Sequence, residues 1–221
     1  KALCLLSGGF DSAVAAWFMM KRGVSVDFVF FNLASDDYQR QVVAVAEHLI
    51  TNWAYGDNPK IYILDFSSIV SNIKNNIPAK YAQVVLKRAM YRIANMVAKQ
   101  NFYPVIITGE SLGQVSSQTL SNLCAIEDIS DIPVFRPLIG LDKEEIIAVS
   151  KKIDMYSLCE QIKEYCSIAP KNVVTKAVIA RVDEIESRLD LSMFEEVLDT
   201  LKVIYLRKMP KNTQIKNEQI F

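Results

Sequence analysis

Residues 1–23, "KALCLLSGGFDSAVAAWFMMKRG", decide the fold. An apolar run of strand length breaks at Ser7-Gly8-Gly9-Phe10-Asp11-Ser12 and turns at once into a helical pattern that stops at Gly23. A plain turn could use almost any polar pair. Two adjacent glycines between hydroxyls, beside one carboxylate, indicate that the backbone itself holds something. Amide groups in a strand-to-helix turn point the same way, and the helix N-terminus adds positive potential. Gly8 and Gly9 leave no Cβ to keep a phosphate from the backbone, and Ser7 and Ser12 can donate hydroxyl hydrogen bonds. Asp11 makes little sense as an anion binder, but it suits a ligand or organiser of a magnesium ion that bridges phosphates. No Gly-Lys-Ser/Thr follows, so this is not the Walker-type loop.

Outward from that turn, "VDFVFF", "KIYILDF" and "PVIITG" are further apolar runs of strand length, the pattern of strands buried on both faces. Helical patterns separate them: "DDYQRQVVAVAEHLITNWAYG" and the longer "PAKYAQVVLKRAMYRIANMVAKQ". Alternating strands and helices with short connections predict an α/β fold, a doubly wound, mostly parallel sheet with helices on both faces. Ligands in such sheets sit beyond the carboxyl ends of the strands, near the point where strand order reverses. Further on come an edge strand in "IPVFRPLIG" and a helix in "DKEEIIAVSKKI", then a loop over residues 155–169. Amphipathic helices are expected over about 172–188 and 192–206. The organisation expected is a catalytic domain over 1–169, a helical extension over 170–208 and a flexible tail over 209–221.

The chain has 221 residues, 51% of them apolar, enough for a sizeable core. No apolar stretch is long enough to span a membrane, and no cleavage site of the secretory kind follows the apolar start. With only four cysteines, Cys4, Cys124, Cys159 and Cys166, a disulfide scaffold is excluded and a reducing, cytoplasmic setting is expected. Cys4 and Cys124 lie in apolar stretches and read as core. The Cys159-x6-Cys166 spacing leaves a redox pair open, or an iron–sulfur site with Cys124. His48, the single histidine, lies mid-helix and reads as structural, which excludes a Ser-His-Asp hydrolase.

A net charge of zero argues against a strongly basic nucleic-acid-binding body. The distribution is uneven, however. No acidic residue lies between Asp65 and Glu110, where Lys74, Lys80, Lys87, Arg88, Arg92 and Lys99 fall, and acids crowd into "RVDEIESRLDLSMFEEVLD" near the end. An unmixed basic helix suggests a polyanionic ligand.

The hexapeptide "SGGFDS" resembles the pyrophosphate loop (PP-loop) of the ATP pyrophosphatases, which cleave ATP to AMP and pyrophosphate while adenylating a carbonyl oxygen. Together with "TGESLGQVSSQTLSNL" (108–123), "RPLIGLDKEEII" (136–147) and "EYCSIAPKNVVTKA" (164–177), the chain is similar to the ThiI family of tRNA 4-thiouridine synthetases, also associated with thiamine thiazole synthesis. The resemblance runs from Lys1 to about Ala177. It implies ATP and Mg2+ as cofactors and transfer of sulfur onto a tRNA uridine. Asp11, Lys143 and Cys166 are the catalytic residues it implies, Cys166 by attacking or resolving a persulfide. Ser7, Gly8, Gly9, Ser12, Lys87, Gly109 and Gln118 would bind ATP, as would Phe30 and Phe31 at the end of the second strand, by backbone or ring, and Leu5 and Leu6 by backbone alone. A lysine opening a helix, as Lys143 does, opposes the helix dipole, which favours a functional reading.

The expected partners are tRNA and a sulfur donor, either a persulfide protein or sulfide; a homodimer is compatible with the sequence. The family's THUMP-type domain, which grips tRNA, has no counterpart in this chain, nor does its rhodanese domain. The chain opens on Lys1 rather than Met, which leaves room for domains upstream. Ala13 stands where the family carries proline. An adenylating enzyme with a small-molecule or carrier-protein acceptor, and an ATP-binding subunit without turnover, remain open alternatives.

Overall fold

In a computed structural model, which describes residues 1–33, 35–54, 58–162 and 173–206, the opening stretch forms β1 (Ala2–Leu5) and α1 (Phe10–Met20). There follow β2 (Val26–Asn32), α2 (Asp36–Trp53), β3 (Lys60–Asp65), α3 (Ser67–Asn76), α4 (Ala82–Gln100) and β4 (Ile106–Ile107). The second half comprises α5 (Leu120–Glu127), β5 (Val134–Phe135), α6 (Lys143–Lys152), α7 (Tyr156–Glu160), α8 (Ile179–Glu186), α9 (Ser192–Asp199) and β6 (Lys202–Tyr205). The strands lie in one sheet in the order β5-β4-β1-β2-β3-β6, all parallel except β6.

The continuous apolar strands have a plain cause: both faces are covered. Along β2, Val29 and Phe31 enter the core beneath α3, α4, α8 and α9. Phe28 and Phe30 enter the opposite core, beneath α1, α2, α6 and α7. Alternation at period two cannot leave a polar residue in the middle of such a strand unless that residue is buried. Among the described residues, no helix is long and apolar enough to cross a membrane.

Strand order positions the site. The chain steps outward from β1 through β2 to β3, then returns across the far face through α3 and α4 to place β4 on the other side of β1. Neighbouring β1 and β4 thus send their following loops in divergent directions and open a crevice at their carboxyl ends.

Three sequence expectations are corrected. The stretch expected as a loop over 155–169 begins with α7, which buries Cys159 against α1 and α2; five residues give too short a period to read. The expected helix over 192–206 ends at Asp199, and "KVIY" pairs as β6 with β3, with Ile61 opposite Ile204. That strand covers an edge which would otherwise expose unpaired backbone groups. The first of the two C-terminal helices begins at Ile179 rather than near 172.

The acid-free helix, α4, is also not an unmixed basic face. Arg88 is 1% exposed; its Nε donates to Glu186 at 2.8 Å, Nη1 to the Ala125 carbonyl at 2.7 Å, and Nη2 to Asp183. Arg92 also reaches Glu186, at 3.1 Å, and Lys99 pairs with Asp131. Arg88 and Arg92 thus find their partners in the acid-rich C-terminal segment, whereas Lys99 finds its own in Asp131.

Candidate functional site

Between β1 and α1 the backbone makes the turn that the glycines require. Gly8 has φ +82°, in the left-handed region, and a Cβ there would lie 2.7 Å from Ile162 Cδ1. Gly9 is the N-cap of α1 without any side-chain cap, so the first-turn amides of α1 have no intrahelical acceptor. The hydroxyls stiffen the turn. Ser12 Oγ donates to the Gly9 carbonyl at 3.1 Å and accepts from the Ser7 amide at 3.1 Å. Ser7 Oγ accepts from the Gly9 amide at 3.4 Å and lies 3.2 Å from Ser12 Oγ. From α2, the Tyr38 hydroxyl donates to the Ser7 carbonyl at 2.8 Å. Ser12, 5% exposed, serves the loop itself before any ligand.

From α6, which packs beside α1, Lys143 Nζ donates to Asp11 Oδ1 at 2.8 Å, joining residues 132 positions apart. Lys143 is the first residue of α6, an unfavourable place for a cation. The cost is offset by a capping box between Asp142 and Glu145 and by Glu144 in the same turn. The side chains of Lys143 and Asp11 are 46% and 19% exposed. An ion pair so open to water stabilises a fold by about 0–1 kcal/mol, so stability gives little reason for the arrangement. Lys143 Nζ also lies 5.7 Å from the Phe10 ring centroid.

Beyond β4, Gly109 touches this loop directly. A Cβ on it would lie 2.5 Å from the Asp11 carbonyl carbon and 2.6 Å from the Ser12 nitrogen. Here glycine permits close approach of two backbones, and the end of β4 seats the N-terminus of α1. The next residues run on toward Lys143: Ser111 Oγ donates to the Leu141 carbonyl at 2.5 Å and the Leu112 amide to the Ile139 carbonyl at 3.0 Å.

Glu110 and Arg136 are functional-site neighbours that motif reading passed over. Glu110 is 3% exposed and accepts from the Tyr91 hydroxyl at 2.6 Å, Arg136 Nε at 3.0 Å and Thr108 Oγ1 at 3.1 Å, with Lys87 Nζ at 3.9 Å. Burial alone would raise its carboxyl, but the Lys87 charge, the Tyr91 hydrogen bond and Arg136 outweigh burial and hold it below the ordinary glutamate value. Burial, followed by the Glu110 charge, pushes the Tyr91 hydroxyl well up, so it donates at any ordinary pH. The available signal was a pair of charged residues directly following two apolar strands, "ITGE" and "VFR".

Gln118 closes the loop that follows. The Gly113 amide donates to its carbonyl at 2.9 Å, its own amide donates to the Val115 carbonyl at 2.8 Å, and its side-chain oxygen is buried without a partner among the described residues. Phe30 and Phe31 lie just before the end of β2, which Asn32 closes, and their rings are core. Phe30 packs on Tyr38, with centroids 5.1 Å apart, and Phe31 packs on Phe66 at 4.7 Å, on opposite faces of the sheet. Rings on opposite faces cannot flank one adenine, so only backbone is available there, as at Leu5 and Leu6.

Cys166 lies outside the described residues. The residues flanking its segment are placed: Ile162 rests against Gly8, and on the other side the Val174 amide donates to the Lys80 carbonyl at 2.9 Å. Asn122 Nδ2 donates to the Val174 carbonyl at 2.7 Å and Thr119 Oγ1 to the Thr175 carbonyl at 2.7 Å. Of the other thiols, Cys4 is buried, with its thiol pushed up by that burial, and Cys159 is buried too. Cys124, expected in the core, is exposed on α5. Its helix packs on α4 while α7 packs on α1 and α2, so Cys124 and Cys159 occupy opposite sides of the sheet and cannot share a cluster.

Among the described residues no group of three His, Cys, Asp or Glu side chains converges on a metal-sized site. A single carboxylate, Asp11, at the mouth of an amide-lined loop suits a hard cation that takes its other oxygens from phosphates and water.

Residues 1–191 match the ThiI family, described as thiamine biosynthesis protein. The tRNA sulfurtransferase of Desulfurococcus amylolyticus is 41% identical over 206 residues, 92% of this chain and 43% of the relative. That of Serratia proteamaculans is 37% identical over 212 residues, 96% and 44% of the two chains. The chain therefore spans less than half the length of the curated relatives it matches. A solved 4-thiouridine synthetase in complex with RNA and bound ATP superposes with a TM-score of 0.88 at 34% identity, covering 94% of this chain and 55% of that one. NMN synthetase of Francisella tularensis, at 14% identity and a TM-score of 0.51, shares the fold alone.

Proposed function

The chain belongs to the ThiI family, and from that premise we propose that it is the ATP-cleaving catalytic part of a tRNA sulfurtransferase that makes 4-thiouridine. The observation that carries this reading is the 2.8 Å contact between Lys143 and Asp11 at the mouth of a loop built from backbone amides. A loop that only held a nucleotide would have no need to present a cation and a carboxylate together over it.

In this reading the amides of the Gly8-Gly9 turn and of the first turn of α1 hold the phosphates of ATP. Lys87 reaches them from α4, and Gly109 and Gln118 complete the wall on the β4 side. Backbone of Leu5, Leu6, Phe30 and Phe31 lies beside the adenine. Asp11 would hold a magnesium ion, which when bound neutralises phosphate charge. The uridine C4 oxygen attacks the α-phosphorus, the bond to the β-phosphate bridging oxygen breaks, and pyrophosphate leaves. Lys143, released from Asp11 onto phosphate oxygens, stabilises the charge that develops there; preorganised donors of this kind contribute on the order of 100-fold or more. Sulfur then adds at C4 and AMP departs with the former carbonyl oxygen. With a persulfide donor, the Cys166 thiolate attacks the donor's bridging sulfur, the S–S bond breaks and the terminal sulfur leaves as the hydrosulfide that adds at C4; the disulfide between Cys166 and the donor is reopened by a thiol reductant. Grip on the tRNA comes, on this reading, from regions of the longer family members that this chain does not span.

The test is incubation of the chain with ATP, magnesium, sulfide and unmodified tRNA. AMP and a 4-thiolated base are expected together. AMP formed only with a small-molecule acceptor would refute the tRNA assignment, and ATP bound without AMP even at tRNA concentrations high enough to replace the missing grip would reduce the chain to a binding subunit.

A further inference from the structure

Glu110 occupies a position that a merely structural carboxylate would not need. Its two oxygens are used differently. Oε2 takes three donors: Tyr91 at 2.6 Å, Arg136 Nε at 3.0 Å and Thr108 Oγ1 at 3.1 Å. Arg136 is itself pinned, by Glu127 and by the Tyr91 hydroxyl at 3.2 Å. The plane of the carboxylate is thereby set from one side, and Oε1 is left turned to Lys87 Nζ at 3.9 Å. That is ion-pair distance without a hydrogen bond, so the ammonium keeps its donors for another acceptor. The Lys87 side chain is 36% exposed and that of Glu110 only 4%. Glu110 directly follows Gly109, whose backbone lies against Asp11 and Ser12.

We propose that Glu110 is a positioning residue for the nucleotide: held rigidly by Tyr91, Arg136 and Thr108, it aims the Lys87 ammonium at the phosphates bound in the Gly8-Gly9 turn. It acts through Lys87 and does not touch ATP. Without its charge Lys87, on a flexible four-carbon stem, sweeps its rotamers in solvent and meets the phosphates less often. The inference rests on the reading of Lys87 as an ATP-binding residue.

The experiment is a double-mutant cycle read by calorimetric titration of the chain with ATP. Lys87→Met raises Kd; an unchanged Kd would dismiss Lys87 itself, and the inference with it. Glu110→Gln keeps the shape and removes the charge, and is expected to raise Kd roughly threefold to tenfold. In the Lys87→Met background the same change is expected to alter Kd by less than about twofold. Equal effects in both backgrounds would mean that Glu110 only shapes the loop, and a folded Glu110→Gln protein with unaltered Kd would overturn the proposal as well. If Glu110→Gln does not fold, Tyr91→Phe takes its place in the cycle. It loosens Oε2 without changing charge, and its smaller rise in Kd must likewise vanish when Lys87 is Met. An additive result there overturns the proposal.

Discussion

Arg88 of α4 donates from Nε to Glu186 of α8 at 2.8 Å, with both side chains almost wholly removed from water. The contact spans the boundary between the motif-bearing part of the chain and its C-terminal helices. It also ties down the helix that carries Lys87. Residues 173–178, between the Cys166 segment and α8, are fastened separately, to Lys80, Thr119 and Asn122.

Breaking that pair is expected to cost about 1–3 kcal/mol, because the buried charge left behind keeps one partner, Arg92 for Glu186 or Asp183 for Arg88. Arg88→Met and Glu186→Gln should each lower the urea midpoint with little change in slope. The Arg88→Met, Glu186→Met double variant should recover part of the loss. A single-variant loss near zero would show that α8 docks by its apolar face alone.

Asp11→Asn and Lys143→Met are expected to slow AMP formation by on the order of 100-fold or more while the melting temperature stays nearly unchanged. The two readouts separate because the pair is solvent-accessible but sits at the loop mouth. Turnover within a few-fold of the parent would remove these residues from the mechanism.

Gly109→Ala places a methyl carbon where 2.5 Å is left to the Asp11 backbone. Overpacking of this kind costs about 1–3 kcal/mol, and here relief can come only by displacing the N-terminus of α1 or the end of β4. Stability and ATP affinity should fall together, measured by thermal melting with and without ATP. Parent-like values for both would contradict the close approach.

The lowered Glu110 carboxyl gives an acid limb of known sign. Its stabilisation is fully present above the ordinary glutamate value, about 4.3, and is lost as pH falls through the lower folded value. Glu110→Gln should therefore be less stable than the parent at neutral pH, and the gap should narrow below pH of about 4.3. Denaturant titrations at a series of pH values check this; a constant gap down to the lowest pH would mean that Glu110 gains nothing from its ionised form.

Cys166→Ser is expected to retain ATP cleavage and to lose thiolation from a persulfide donor, whereas Cys124→Ser should leave both unaffected. Product analysis of the thiolated base decides it. Full transfer by the Cys166 variant would return the sulfur step to the donor alone.

Much of the fold was legible because parallel strands covered on both faces write themselves as unbroken apolar runs, as ALCLL and VDFVFF do. Short elements escaped. α7 has five residues, too few for a helical period, and β6 reads as the continuation of α9 because nothing local marks the change. Phe30 and Phe31 read as a pair at a strand end, but adjacent residues on a strand face opposite ways. The basic run of α4 looked unmixed because its acids lie outside the stretch: Asp183 and Glu186 for Arg88 and Arg92, Asp131 for Lys99.

What the sequence determined by itself was the strand-to-helix turn Ser7–Ser12 with its two adjacent glycines, and the strand-helix alternation that makes a doubly wound sheet. Local chemistry is enough for these, since each depends on residues a few positions apart. Tertiary structure alone decided that Lys143 meets Asp11, that Gly109 is glycine because of the Asp11 and Ser12 backbone rather than its own dihedrals, and that Glu110 faces Lys87. Those relationships follow from the return of the chain across β1 to place β4 beside it. A crossover of that kind brings distant residues together through packing, and no spacing along the chain encodes it.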